Sequence, residues 1–238
     1  MAEVVNQVIK KETIRRLVKD VREIIKNPLE EHGIYYFHNE TDMLKGQAMV
    51  IGPKGTPYEN GYYFFELDFP ADYPHSPPKV TYFTNDGMTR FNPNLYKSGK
   101  VCISVLNTWR GEQWTACQTI SSILLVLCTT LNNEPLLNEP GVRKNHRDYD
   151  SYHQIITYKN FRIAIVEMLK GTMVRRQFPL FSDIIKKNFV DNYNDIMKNL
   201  DTGQIENITL QTSLYNMTVS INYEKVKEEL NTLYQKLK

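Results

Sequence analysis

The segment RFNPNLYKSGKVCIS, residues 90–104, gathers side chains able to do chemistry. Cys102 follows Asn94 by eight residues, beyond a Ser98-Gly99 turn, so the two meet if the segment folds back on itself. A free thiol, with a pKa of about 8.5, is a few per cent thiolate at neutral pH, and the thiolate is the nucleophile. A nearby amide donor stabilises the oxyanion of acyl transfer, where one well-placed donor is worth about 10²–10³ in rate. The competing reading is plain packing, because a lone Cys is most often a small buried hydrophobe. Cys128 falls on an apolar helical stripe and reads as core. Cys117, at a helix start, reads as a passive small residue despite the dipole there. Three Cys with no CxxC pair make neither a disulfide framework nor a zinc knuckle, and they point to a reducing compartment. The string GPKGTP at 52–57 lacks the Gly-Lys-Ser/Thr ending of a phosphate loop and reads as a hairpin turn.

The elements that must position this segment are legible from periodicity. Apolar residues at three-to-four spacing predict a helix over 4–26, stopped by Asn27-Pro28. Residues 34–38, 43–51, 62–69 and 80–83 read as a four-strand meander; in the third, Tyr63, Phe65, Leu67 and Phe69 alternate with Tyr62, Phe64, Glu66 and Asp68. Residues 84–114 show no sustained period, and so long an irregular stretch in a compact domain is more often functional than not. A helix returns from Thr115, with Ile120, Ile123, Leu124, Leu127, Cys128 and Leu131 on one stripe. Further helices are expected near 151–170, ended by Gly171, and over 182–199 and 223–237. Ten of the 11 Pro precede residue 141, which concentrates turns in the first part. Helix, antiparallel meander, irregular loop and then helices is a segregated order, so the fold class is α+β.

Composition bounds the rest. At 238 residues the length suggests one elaborated domain or one with a small appendage, and 41% hydrophobic with 24% charged residues argues against a disordered or collagenous chain. A net charge of +2 gives no footprint for a nucleic-acid partner. Charge breaks the first residues before a signal-peptide block develops, and no apolar run approaches a membrane span. An intracellular setting, cytoplasmic or nuclear, is therefore expected.

In order and spacing, Tyr73-Pro74-His75-Ser76-Pro77-Pro78-Lys79-Val80, then Asn92-Pro93-Asn94, Gly99 through Leu106 and Trp114 resemble the core of ubiquitin-conjugating enzymes. The likeness is greatest to the large Z-type members, through residues 90–106, Asn138-Glu139-Pro140-Gly141 and a helical C-terminal extension. It divides the chain into a catalytic core at 1–200 and an extension at 201–238. It implies the family's fold: an N-terminal helix, a four-stranded antiparallel meander, an active-site loop and C-terminal helices. It also implies transfer of ubiquitin or a ubiquitin-like modifier from an activating enzyme to Cys102 as a thioester, then to lysine amines of protein substrates, with a ligase as possible partner. Asn94 falls on the Asn of the family's His-Pro-Asn motif, to order the loop or stabilise the oxyanion. Glu139 falls where a carboxylate orients or deprotonates the incoming lysine, or stands as a solvated loop acid. No cofactor or metal is implied, since activation happens on the partner. Asn92 replaces the motif's usual His; His75 and Thr115 sit at ligase-facing loop positions, and Thr115-Ala116 departs from the family's Ser-Pro.

On the first helix Lys11, Arg15 and Lys19 stack at four-residue spacing, costing about 0.2–0.5 kcal/mol per like-charge pair unless a partner supplies acid. The resemblance makes that partner the activating enzyme; the alternative is a solvated face relieved by Glu12, Asp20 and Glu23. Two other functions compete: a non-catalytic modifier-binding module, whose variants lose the Cys retained here, and a cysteine hydrolase, which needs a His beside the thiol. None of the five His lies in the loop. Val226, Leu230, Leu233 and Leu237 make a stripe on the last helix that docks on the core or on a partner.

Overall fold

A computed structural model of the chain describes residues 9–202 and 208–238. Helix α1, Lys11–Lys26, buries Thr13, Leu17, Asp20 and Ile24 and leaves Ile14, Val18 and Ile25 outward. It starts later than expected because Lys10 is still extended; residues 4–8 of that expectation lie outside the described residues.

Strands β1 Ile34–His38, β2 Lys45–Ile51, β3 Tyr62–Asp68 and β4 Lys79–Tyr82 pair antiparallel in chain order. In β3 both faces are apolar for the first half only. Tyr63 packs on Tyr58 and Phe91, while Phe64 packs on Phe178 and Phe181 from the other side. Strict alternation fails there because a second layer covers that face; where cover ends, Glu66 and Asp68 take the outer positions.

Helix α2, Ile120–Thr130, begins five residues later than expected: Thr119 caps it, exchanging hydrogen bonds with Ser122, and 115–118 is a turn. Helix α3, Tyr149–Lys159, continues through a π-helical stretch, Asn160–Glu167, into α4, Met168–Lys170, and stops at Gly171. Gly61 permits this path, because a Cβ there would lie 1.9 Å from Asn160 Oδ1, which accepts from Tyr63 Oη at 2.7 Å. Helices α5, Thr172–Gln177, and α6, Ser182–Thr202, form the second layer, with Tyr62 Oη donating to the Ile185 carbonyl and Asn188.

The chain ends in a hairpin that periodicity did not reveal, β5 Thr209–Thr212 and β6 Met217–Ser220, followed by α7, Tyr223–Leu237. Val226 and Leu230 are fully buried and Leu233 and Leu237 partly so; Arg162, Glu167, Lys170 and Glu229 link α7 to the π-helical stretch and α4. The apolar stripe of α7 thus packs within the chain. The expected division after residue 200 falls inside α6. Among the described residues no helix is long and apolar enough to cross a membrane.

Candidate active site

Residues 92–103 fold back at Ser98-Gly99. Gly99 has φ 86 and its position lies so close to β4 that a Cβ would meet the Tyr82 carbonyl at 2.8 Å, while its own carbonyl accepts from the Tyr82 N–H at 2.7 Å. The bridge Thr81↔Lys100 continues the docking onto β4, and Leu95↔Val101 closes the fold-back itself. The turn brings Cys102 opposite Asn94: the Cys102 N–H donates to the Asn94 carbonyl at 2.8 Å, and Asn94 Nδ2 donates back to the Cys102 carbonyl at 2.6 Å. Both are buried, Cys102 to 2% exposure and Asn94 to 8%. In this arrangement the Asn94 amide holds the backbone of Cys102.

Asn92, fully buried, uses its whole hydrogen-bonding capacity. Nδ2 donates to Tyr58 Oη at 2.8 Å and the Thr130 carbonyl at 2.9 Å, while Oδ1 accepts from the Asn94 N–H at 2.9 Å and from Asn138 Nδ2 at 3.2 Å. Asn138 also accepts from Asn132 Nδ2 at 2.8 Å. A neutral imidazole offers one donor and one acceptor, so Asn is the residue that ties four groups here. This amide net joins the Cys102 hairpin to α2 and to the turn Pro135–Asn138, which presents Glu139. Arg90 clamps the hairpin's entrance, donating from Nε to the Asn92 carbonyl and from Nη2 to that of Pro93, with its guanidinium over Tyr96.

Glu139 is no free loop acid: its Oε2 accepts from Tyr215 Oη at 2.5 Å, a residue between β5 and β6. Asn92 was legible as the replacement of a motif residue. The roles of Tyr58, Asn138 and Tyr215 carried no local signal, because each is set by contacts many residues distant. Three of the His residues are engaged elsewhere: His38 with Tyr36 and Met43, His75 with Glu12, His146 with the Asp148 N–H. Of the remaining Cys, Cys117 is exposed; Cys128 is half-buried, and burial pushes its thiol above the ordinary value.

Lys11, Arg15 and Lys19 share the exposed face of α1. The loops bearing His75 and Thr115 lie at this helix. His75 pairs with Glu12 at 3.4 Å, Thr13 donates to the Ala71 carbonyl, and Arg16 donates to the carbonyls of Ala116 and Gln118. Asp20 orients Arg16 and accepts from Tyr73 Oη at 2.5 Å, and Trp114 donates to the Pro74 carbonyl at 2.7 Å. The five residues singled out as contacts therefore gather around α1, while Cys102, Asn94 and Glu139 belong to the amide-linked loops.

A family model described as Ubiquitin-conjugating enzyme matches residues 16–160. The chain is 32% identical over 240 residues to Ubiquitin-conjugating enzyme E2 Z of Xenopus tropicalis, covering 98% of this chain and 74% of that protein. To the Homo sapiens protein of the same name it is 36% identical over 182 residues, covering 75% of this chain and 50% of that one. It is 40% identical over 173 residues to the human Dual E2 ubiquitin-conjugating enzyme/E3 ubiquitin-protein ligase BIRC6, covering 66% of this chain and 3% of that protein. The solved structure of human Ubiquitin-conjugating enzyme E2 G1 superposes with a TM-score of 0.45 at 30% identity, covering 52% of this chain and 97% of that one.

Proposed function

The chain belongs to the ubiquitin-conjugating enzyme family, and from that premise we propose that it takes ubiquitin or a ubiquitin-like modifier from an activating enzyme onto Cys102 and passes it to a lysine. The Cys102 thiolate attacks the carbonyl of the modifier's C-terminal glycine, forming a new C–S bond as the activating enzyme's thiolate leaves. An amine then attacks the same carbonyl, loses a proton, and releases the Cys102 thiolate. Free lysine, with a pKa of about 10.4, is mostly ammonium at neutral pH, and Glu139 is the group assigned to orient it and receive its proton.

The observation that carries this reading is the fold-back that pins Cys102 by both backbone groups against Asn94, within a net that includes the Glu139 turn. Asn94 acts on this reading as a positioning residue. With Cys102 2% exposed, loading needs local opening around the thiol. The basic face of Lys11, Arg15 and Lys19 serves the activating enzyme, and the His75 and Thr115 loops beside it serve a ligase. The setting is cytoplasmic or nuclear, where free thiols persist. The chain spans about half the length of its human relative.

The test is incubation with an activating enzyme, ATP and ubiquitin. A thiol-sensitive adduct is expected; Cys102→Ser converts it to an oxyester that resists thiol and yields to mild base. Charge reversal at Lys11, Arg15 and Lys19 slows loading and leaves lysine discharge of preloaded protein alone. Charging of Cys102→Ala but not of Cys117→Ala would overturn the assignment.

A further inference from the structure

Tyr215 touches both loops of the proposed site from outside the segment that the family model covers. Its hydroxyl donates to Glu139 Oε2 at 2.5 Å, and its carbonyl accepts from Lys97 Nζ at 2.7 Å. Its ring lies 5.9 Å from that of Tyr152 and 5.0 Å from the Arg90 guanidinium. The neighbouring residues anchor the same corner: the Leu214 N–H donates to Asp148 Oδ2 at 2.8 Å, and Met217 Sδ accepts from the Arg90 N–H at 3.3 Å. Tyr215 holds φ at 65, a left-handed conformation that bulky residues keep only where their surroundings over-determine it. Burial first, and the Glu139 bond second, push its phenol above the ordinary value, so the hydroxyl remains a donor across the working pH range.

We propose that Tyr215 is a positioning residue for transfer: by binding one oxygen of Glu139 it fixes the carboxylate so that the other meets the incoming amine, which makes the C-terminal hairpin part of the transfer site. This rests on the role given to Glu139 above. A carboxylate on a turn has several rotamers of similar energy, and a charge-assisted bond selects one. Because the same residue also holds Lys97 through its carbonyl, the two loops keep a fixed spacing.

The experiment uses the full chain, loaded with ubiquitin and discharged to free lysine in single turnover. Tyr215→Phe keeps the ring and the carbonyl and removes only the hydroxyl. It is expected to slow discharge on the order of tenfold, the scale of one charge-assisted hydrogen bond, and to affect loading much less. In the Glu139→Ala background Tyr215→Phe adds nothing further, whereas a residue that merely braces the fold gives losses that multiply. Tyr193→Phe, on α6 where the ring stacks on Tyr234 of α7, serves as the control. Discharge of Tyr215→Phe at the parental rate, or multiplying losses in the double variant, overturns the positioning role. Failure of the parental protein to load at all overturns the transferase reading instead, and is seen before any variant is compared.

Discussion

At the scale of single residues, Asn94 is the side chain whose geometry most constrains the chemistry. Its amide donates to the Cys102 carbonyl at 2.6 Å, and its own carbonyl accepts the Cys102 N–H. Asn94→Ala removes the first of these bonds and leaves a buried carbonyl unpaired, at a cost of about 1–3 kcal/mol. Loading and discharge should therefore fall together, each by about tenfold or more; a defect confined to discharge would place the amide on the tetrahedral intermediate instead. The juxtaposition itself was legible, because a Ser-Gly turn midway between Asn94 and Cys102 has few ways to fold except back. What the amide does there was not, since spacing says nothing of rotamer. The same holds for Asn92: its substitution for the motif's His was visible, but the four partners that suit an amide come from 34 to 46 positions away or from Asn94 itself.

At the scale of elements, the irregular stretch after β4 is secured by Asp86. Its carboxylate caps the Met88 and Thr89 N–H groups and binds Lys159 Nζ at 2.7 Å at the end of α3. Burial opposes the charge, but the Lys159 bond and the two N–H groups outweigh it and hold the carboxyl below its usual range. A carboxyl depressed by folding contributes stability that is present above its unfolded value of about 3.9 and is lost as the pH falls through the folded one. Asp86→Asn is therefore expected to cost about 2 kcal/mol at pH 7 and progressively less below about pH 4. Urea midpoints for the two proteins should converge on acidification; a gap independent of pH would remove the charge from this account. Element positions followed the periodicity closely for the meander and for α7, where one face is buried throughout. Helix starts slipped at α1 and α2 because the apolar stripe does not reveal where the backbone turns helical; at α2 the Thr119–Ser122 exchange sets that point. The β5–β6 hairpin went unseen because two four-residue strands are too short for alternation to register.

At the scale of the whole molecule, residues 208–238 are built into the fold by α7 against α6 and by the hairpin against the loops that bear Lys97 and Glu139. Truncation after Leu200 would uncover the surface now closed by Val226 and Leu230, each worth about 1.5–3 kcal/mol of burial. The expected outcome is a melting temperature lower by several degrees, retained loading at Cys102, and discharge slowed at least as much as by Tyr215→Phe. Unchanged melting and unchanged discharge together would show that the extension neither braces the fold nor serves the site. An apolar stripe on the last helix was readable from the sequence. That the segment before it reaches Glu139 was not, because a contact 76 residues apart depends on the path of every element between.

The central claim, that Cys102 carries the modifier, is tested most directly by peptide mapping of the loaded Cys102→Ser variant, digested at neutral pH so that its base-labile ester is kept. Trypsin isolates residues 101–110 between Lys100 and Arg110, a peptide holding position 102 and neither of the other two cysteines. The account predicts the modifier's C-terminal glycine remnant on that peptide alone, with the peptide 111–143, which carries both Cys117 and Cys128, unmodified. A remnant on residues 111–143, or none on residues 101–110 after incubation with activating enzyme and ATP, would contradict it.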